Sequence, residues 1–134
     1  MISDEALLRM AVEAMRLSYS PYSCHPVGAA LLCEDGTVVT GSNVENASFG
    51  LTNCAERTAV FKAVSEGKTG FVKIAIAAEK SAPWPCGACR QVLNEFAPSM
   101  RVLVTWNNGE KAEAGLKELL PYGFGPNELD LDNR

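Results

Sequence analysis

Three cysteines and one glutamate constrain this chain more than anything else in it. Cys54-Ala55-Glu56 opens a stretch that Pro85-Cys86-Gly87-Ala88-Cys89 closes. A lone Cys-x-x-Cys serves redox exchange or structural zinc as readily as catalysis. The upstream Cys-x-Glu, at the head of a helical pattern, narrows the choice. Zinc takes thiolate and imidazole ligands in a tetrahedron; three protein ligands leave the fourth corner to water, whereas four close the site. The spacing puts forward Cys54, Cys86 and Cys89 as ligands of one Zn²⁺ with an open corner, where water of pKa ~7 yields its proton at neutral pH. Glu56, two residues from a ligand, is placed to take that proton and hand it to a leaving group. The competing reading of Glu56 is an ordinary helix-start glutamate favoured by the macrodipole. The single histidine, His25, supplies the competing reading of the cluster: a fourth ligand that closes a structural site.

The totals bound the class. With 134 residues the chain reads as a single domain over 1–134, inside the ~100–150 residues where domains cluster. A net charge of −4 argues against a broad nucleic-acid surface, which is normally basic. No apolar run approaches the ~20 residues of a membrane span, and the first ten residues do not have the pattern of a secretory signal. Five cysteines, an odd number, fit a reducing, cytoplasmic setting and metal binding better than disulfides.

Along the chain, Ser3 and Asp4 precede an apolar repeat of helical period that predicts a helix over 4–18. Tyr19-Ser20-Pro21-Tyr22-Ser23 stops it. Val27–Cys33 and Thr37–Gly41, joined through Asp35-Gly36, predict an antiparallel hairpin. The polar stretch from Ser42 to Asn53 predicts a binding loop, with Asn53 as cap of the next helix. Helical spacing from Cys54 to Ser65 and from Gly87 to Ala97 alternates with strands at Phe71–Ala78 and Arg101–Trp106. A weak strand at Lys111–Ala114 and a short helix at Leu116–Leu120 follow, and the tail from Asn127 to Arg134 is expected to be loosely held. The order predicts an α/β fold, a three-layer α-β-α sandwich around a mixed five-stranded sheet, with parallel strands joined by crossovers in its middle. Both cysteine groups then fall at helix starts, whose dipoles offset the negative charge of three thiolates on zinc. Arg57 and Arg90, each next to a ligand, are expected to add hydrogen bonds to sulfur.

With these motifs together, the chain resembles cytidine deaminase in its small, homotetrameric, three-cysteine form. The zinc deaminases use a non-ligand glutamate beside such a cluster. The resemblance runs from Tyr19-Ser20-Pro21-Tyr22-Ser23 to Phe124-Gly125-Pro126, through Gly28-Ala29-Ala30-Leu31, Asn43-Val44-Glu45-Asn46, Cys54-Ala55-Glu56-Arg57 and Pro85-Cys86-Gly87-Ala88-Cys89-Arg90. It implies one Zn²⁺ per subunit on the three cysteines and Glu56 as proton shuttle. It further implies Asn43, Val44 and Glu45 on the substrate, the last with Asn43 at the ribose hydroxyls, and the Ala55 N–H on the pyrimidine carbonyl. Phe124 would reach a neighbouring subunit's site.

The chain departs from the family at His25, where a phenylalanine usually stacks on the base, at Trp84, usually serine or threonine, and at Phe49, usually tyrosine. An imidazole also stacks but is smaller, polar and chargeable. The resemblance implies that the backbone carbonyl of residue 84 accepts a hydrogen bond from departing ammonia, and any residue supplies a carbonyl. The function implied is hydrolytic deamination of cytidine and deoxycytidine, a step of pyrimidine salvage, with a modified cytosine nucleoside or a nucleoside antibiotic as the alternative substrate. Nucleic acids and membranes are not expected as partners.

Overall fold

The structure, a computed structural model, describes residues 1–129. Helix α1 (Asp4–Met15) starts where Ser3 accepts the Ala6 N–H at 3.2 Å, with Asp4 and Glu5 in its first turn. It buries Leu7, Ala11 and Ala14, one stripe of the repeat. It ends three residues before the expected point. Leu17 and Ser18 turn back onto the carbonyls of Ala14 and Met15, and Tyr19 pairs instead with Asn43 and Glu45. Backbone pairing with the binding loop thus wins over continued helix.

The hairpin forms from β1 (Val27–Cys33) and β2 (Val38–Ser42). Strand β2 begins one residue late because Asp35 accepts both the N–H and the hydroxyl of Thr37. Helix α2 (Ala55–Ser65), β3 (Phe71–Ala78), α3 (Gly87–Phe96), β4 (Arg101–Trp106), β5 (Glu110–Gly115) and the short α4 (Leu116–Leu119) follow. Two 3-10 turns, Phe49–Leu51 and Pro126–Glu128, fall where the sequence predicts only loop. The rest of the expected loose tail, residues 130–134, lies outside the described residues.

The sheet order is β2-β1-β3-β4-β5. Strand β1 runs antiparallel to both β2 and β3, β3 is parallel to β4, and β5 returns antiparallel along β4. Strands β2, β3 and β4 therefore point the same way, as the crossover pattern requires. The crossover through α2, however, steps over β1 rather than joining neighbours. Edge strand β5 carries Glu110, Lys111 and Glu113 exposed, charges that discourage edge-to-edge pairing.

Two layers flank the sheet. Leu31, Ile74, Ile76, Val102 and Val104 face Ala59, Val60 and Leu93 of α2 and α3. Ala30, Leu32, Ala75, Ala77 and Leu103 face α1. Strands buried on both faces read as the near-continuous apolar runs seen in the sequence. Two glycines set how closely the helices sit. A Cβ on Gly28 would lie 2.1 Å from the Ala11 carbonyl oxygen of α1, and one on Gly41 would lie 2.6 Å from the Ala59 nitrogen and 2.8 Å from the Ala55 oxygen of α2. The hairpin is thus clamped between helices, and Gly41 fixes the seat of α2.

Candidate active site

Cys54 and Cys86 are the N-cap residues of α2 and α3, both with extended backbone, and neither spends its side chain on capping. The expected cap, Asn53, donates instead to the Thr58 hydroxyl at 3.1 Å and pairs by backbone with Val44. That displacement leaves the Cys54 sulfur free. Cys89 lies one turn into α3 and is fully buried. The helix geometry so brings three sulfurs within 4.8 Å of one another, with Cys54–Cys86 at 3.9 Å and Cys86–Cys89 at 3.5 Å. Tetrahedral zinc with ~2.3 Å bonds to sulfur needs them about 3.8 Å apart, so the donor set fits the ion. His25 stands outside this cluster.

The electrostatics fit as well. Hydrogen bonding with Cys89, followed by the Arg57 guanidinium, holds the Cys54 thiol well below its ordinary range, while the Cys54 thiolate and burial push the Cys89 thiol up. Crowded sulfurs ionise one at a time; a dication lets all three carry charge. Arg57 Nη2 donates to Cys54 Sγ at 3.2 Å, as expected. Arg90 does not reach sulfur: its Nε donates to the Pro85 carbonyl at 2.6 Å and its Nη1 to that of Leu119 at 2.7 Å. Two carbonyls left bare by the turn and by the end of α4 capture it, and it braces the Pro85-Cys86 turn from behind.

Glu56 is 5% exposed. Burial pushes its carboxyl up to about 7, and the neighbouring Cys54 thiolate adds to the rise. A cavity of about 230 Å³ joins Glu56, Cys54, Cys86 and Ala55 to Ser23, His25, Val27, Asn43, Glu45, Thr52, Pro83 and Trp84. Ala55 is the first residue of α2, so its N–H is one of the helix-start donors that have no partner within the helix.

Asn43 and Glu45 are both buried. Asn43 Oδ1 accepts from the Ser18 hydroxyl and from the Val27 N–H at 2.9 Å, and its Nδ2 donates to the His25 carbonyl at 2.9 Å. Glu45 Oε1 accepts the N–H groups of Tyr22 and Ser23 at 3.0 and 3.1 Å, and its Oε2 accepts the Ser23 hydroxyl. Those bonds, the Ser23 hydroxyl first, hold its carboxyl below the usual range. Ser18, Ser23 and Thr52 had no role in the sequence reading; only the position of Ser23 in the turn preceding His25 hinted at one.

Two expected contacts stand apart from the cavity in the single chain. Val44 is half-exposed and pairs its backbone with Asn53. Phe124 is 56% exposed, and its carbonyl accepts from Gln91 and Asn94 of α3 at 2.7 and 2.9 Å.

Comparison with known proteins follows the same lines. The cytidine and deoxycytidylate deaminase zinc-binding region matches residues 1–105. A cytidine deaminase of Halalkalibacterium halodurans is 48% identical over 128 residues, 94% of this chain and 97% of the relative. One of Sporosarcina psychrophila is 48% identical over 127 residues, 93% of each. Among solved structures, a cytidine deaminase from Burkholderia pseudomallei superposes with a TM-score of 0.88 at 44% identity, covering 92% of this chain and all of that one. The cytidine deaminase from Mycobacterium tuberculosis does so with a TM-score of 0.80 at 40% identity, covering 93% of this chain and 99% of that one.

Proposed function

The chain belongs to the cytidine deaminase family, and from this we infer that it is a zinc-dependent hydrolase converting cytidine and deoxycytidine to uridine and deoxyuridine with release of ammonia. The observation that carries the reading is one cavity in which a buried glutamate stands beside a three-sulfur cluster.

Cys54, Cys86 and Cys89 would hold zinc, which would lower the pKa of water to about 7 and so make hydroxide available at neutral pH. Glu56 takes the proton of the attacking water on its carboxylate. It gives that proton to the ring nitrogen N3 as oxygen adds to C4. It then carries the second proton, from the new hydroxyl, to the amine, and ammonia leaves. A buried carboxyl lining the same cavity as the cysteine cluster is placed for both halves of this work. Asn43 and Glu45 hold the sugar hydroxyls, one chiefly as donor and the other as acceptor. The Ala55 N–H meets the pyrimidine carbonyl, His25 faces the base, and the Trp84 carbonyl receives the departing ammonia. Arg57 and Arg90 support the cysteine turns. The decisive experiment is the ultraviolet change on adding cytidine, with and without a zinc chelator: decay that the chelator abolishes is expected, and a chelator-insensitive or absent decay defeats the reading.

A second substrate reading has its own support, because His25 and Trp84 both line the cavity. Turnover of N4-substituted cytidines above that of cytidine would favour it.

The unit proposed is the whole of 1–134, working as a homotetramer in the cytoplasm on a small nucleoside rather than on nucleic acid or at a membrane. Exposed Phe49, Leu51, Tyr122 and Phe124 supply apolar surface for self-association. No helix among the described residues is long and apolar enough to cross a membrane. Light scattering tests the assembly, and Phe124→Ala tests whether that ring serves a neighbour's site.

A further inference from the structure

We infer that Ser23 is a positioning residue whose one hydroxyl ties the sugar-holding carboxylate of Glu45 to the loop that brings His25 to the cavity. This rests on the proposed reading of Glu45 as a sugar-binding group.

The Ser23 Oγ–H donates to Glu45 Oε2, and the same Oγ accepts the His25 N–H at 3.1 Å. A hydroxyl has one proton and two lone pairs, so its polarity here is fixed: proton toward the carboxylate, lone pair toward the backbone. An ionised carboxylate offers about four acceptor positions. Tyr22 N–H, Ser23 N–H and the Ser23 hydroxyl fill three of them, leaving roughly one for a ligand hydroxyl on a residue that lines the cavity. Asn43 is its counterpart. Its Oδ1 is filled by Ser18 and Val27 and one Nδ2 proton by His25, which leaves one N–H. One free acceptor beside one free donor suits neighbouring sugar hydroxyls.

His25 is gripped from both sides by this pair. Its N–H goes to Ser23, which is bonded to Glu45, and its carbonyl to Asn43. Occupying the sugar subsite therefore also steadies the segment facing the base. On the carboxylate's side, Ser23 is the residue through which that link passes. Removing its hydroxyl spares the two backbone donors to Glu45, so the fold survives while the carboxylate loses its fixed direction.

The test is steady-state kinetics of Ser23→Ala beside Glu45→Gln on cytidine and on 2′,3′-dideoxycytidine, which lacks the hydroxyls in question. Loss of a hydrogen bond to a charged group is worth about tenfold. For Ser23→Ala, KM for cytidine should rise about tenfold with kcat within about twofold. The rise on the dideoxynucleoside should be much smaller, and Ser23→Thr should restore the wild-type value. Ser23→Ala should add nothing to Glu45→Gln. Ser23→Cys, which keeps the size and weakens the donor, should move the same way and covers the case of a misfolded alanine variant. If Glu45→Gln discriminates the two substrates but Ser23→Ala weakens both alike, the positioning role falls and the sugar reading stands. If Glu45→Gln itself fails to discriminate them, the sugar reading falls and takes the inference with it.

Discussion

Arg57 Nη2 lies 3.2 Å from the sulfur of Cys54, three residues back along the chain. The cap residue and the third residue of α2 meet because one helical turn brings them onto the same face. The guanidinium thus answers thiolate charge from a position the helix itself dictates, and the thiolate in return pushes the Arg57 pKa up. Outer partners of metal ligands contribute about 10–100-fold in metal affinity. Arg57→Ala should therefore lose zinc to a competing chelator roughly that much more readily. Unaltered retention would reduce Arg57 to a bystander.

Glu56→Gln keeps the shape of a buried side chain and removes the carboxyl that can take up and release a proton. Loss of a general acid–base group costs about 10²–10⁴ in rate, so kcat on cytidine should fall at least a hundredfold while zinc content and melting temperature hold. Near-normal turnover in a zinc-loaded variant would falsify the shuttle.

Gly41→Ala drives a methyl into the backbone of α2 at Ala55 and Ala59. Overpacking costs about 1–3 kcal/mol, and here the obstacles are main-chain atoms that cannot rotate away. Denaturant unfolding should show a loss of about that size or more, accompanied by lower kcat, since α2 carries both Cys54 and Glu56. A variant as stable and as active as the parent would mean that the close approach is not rigid.

Glu45 gives a pH signature. Its folded carboxyl titrates below the ordinary range because the Ser23 hydroxyl and the Ser23 and Tyr22 amides favour the charged form. A group depressed on folding stabilises above its unfolded pKa of about 4.3 and loses that contribution as pH falls through the lower folded value. The gap in melting temperature between wild type and Glu45→Gln should stay level from neutrality to about pH 5 and close below about 4.3. A gap that instead grows with acid would reverse the sign argued here.

Much of the molecule was readable from residue order, for reasons that differ by element. Strands β1, β3 and β4 announce themselves because burial on both faces demands near-continuous apolar runs, and their predicted bounds match the observed ones. The hairpin follows from Asp35-Gly36. The position of β1 between β2 and β3 was not readable, since the same alternation of strand and helix also suits neighbouring parallel strands. Sulfur spacing exposed the metal cluster because ligation restricts residue type severely. Arg90 misled because adjacency in sequence does not say which acceptor wins; two bare carbonyls did. Ser18 and Ser23 stayed hidden because a serine in a turn has many uses, and only the fold reveals what it bonds.

Helix α1 packs across the sheet from the layer that carries the cysteines and Glu56. Substitutions on that rear layer should register as changes in durability while the reaction proceeds at its usual pace. Those among α2 and α3 disturb longevity and turnover together. The rear is therefore the sensible place to attach a tag, graft a surface charge or seek added thermal endurance.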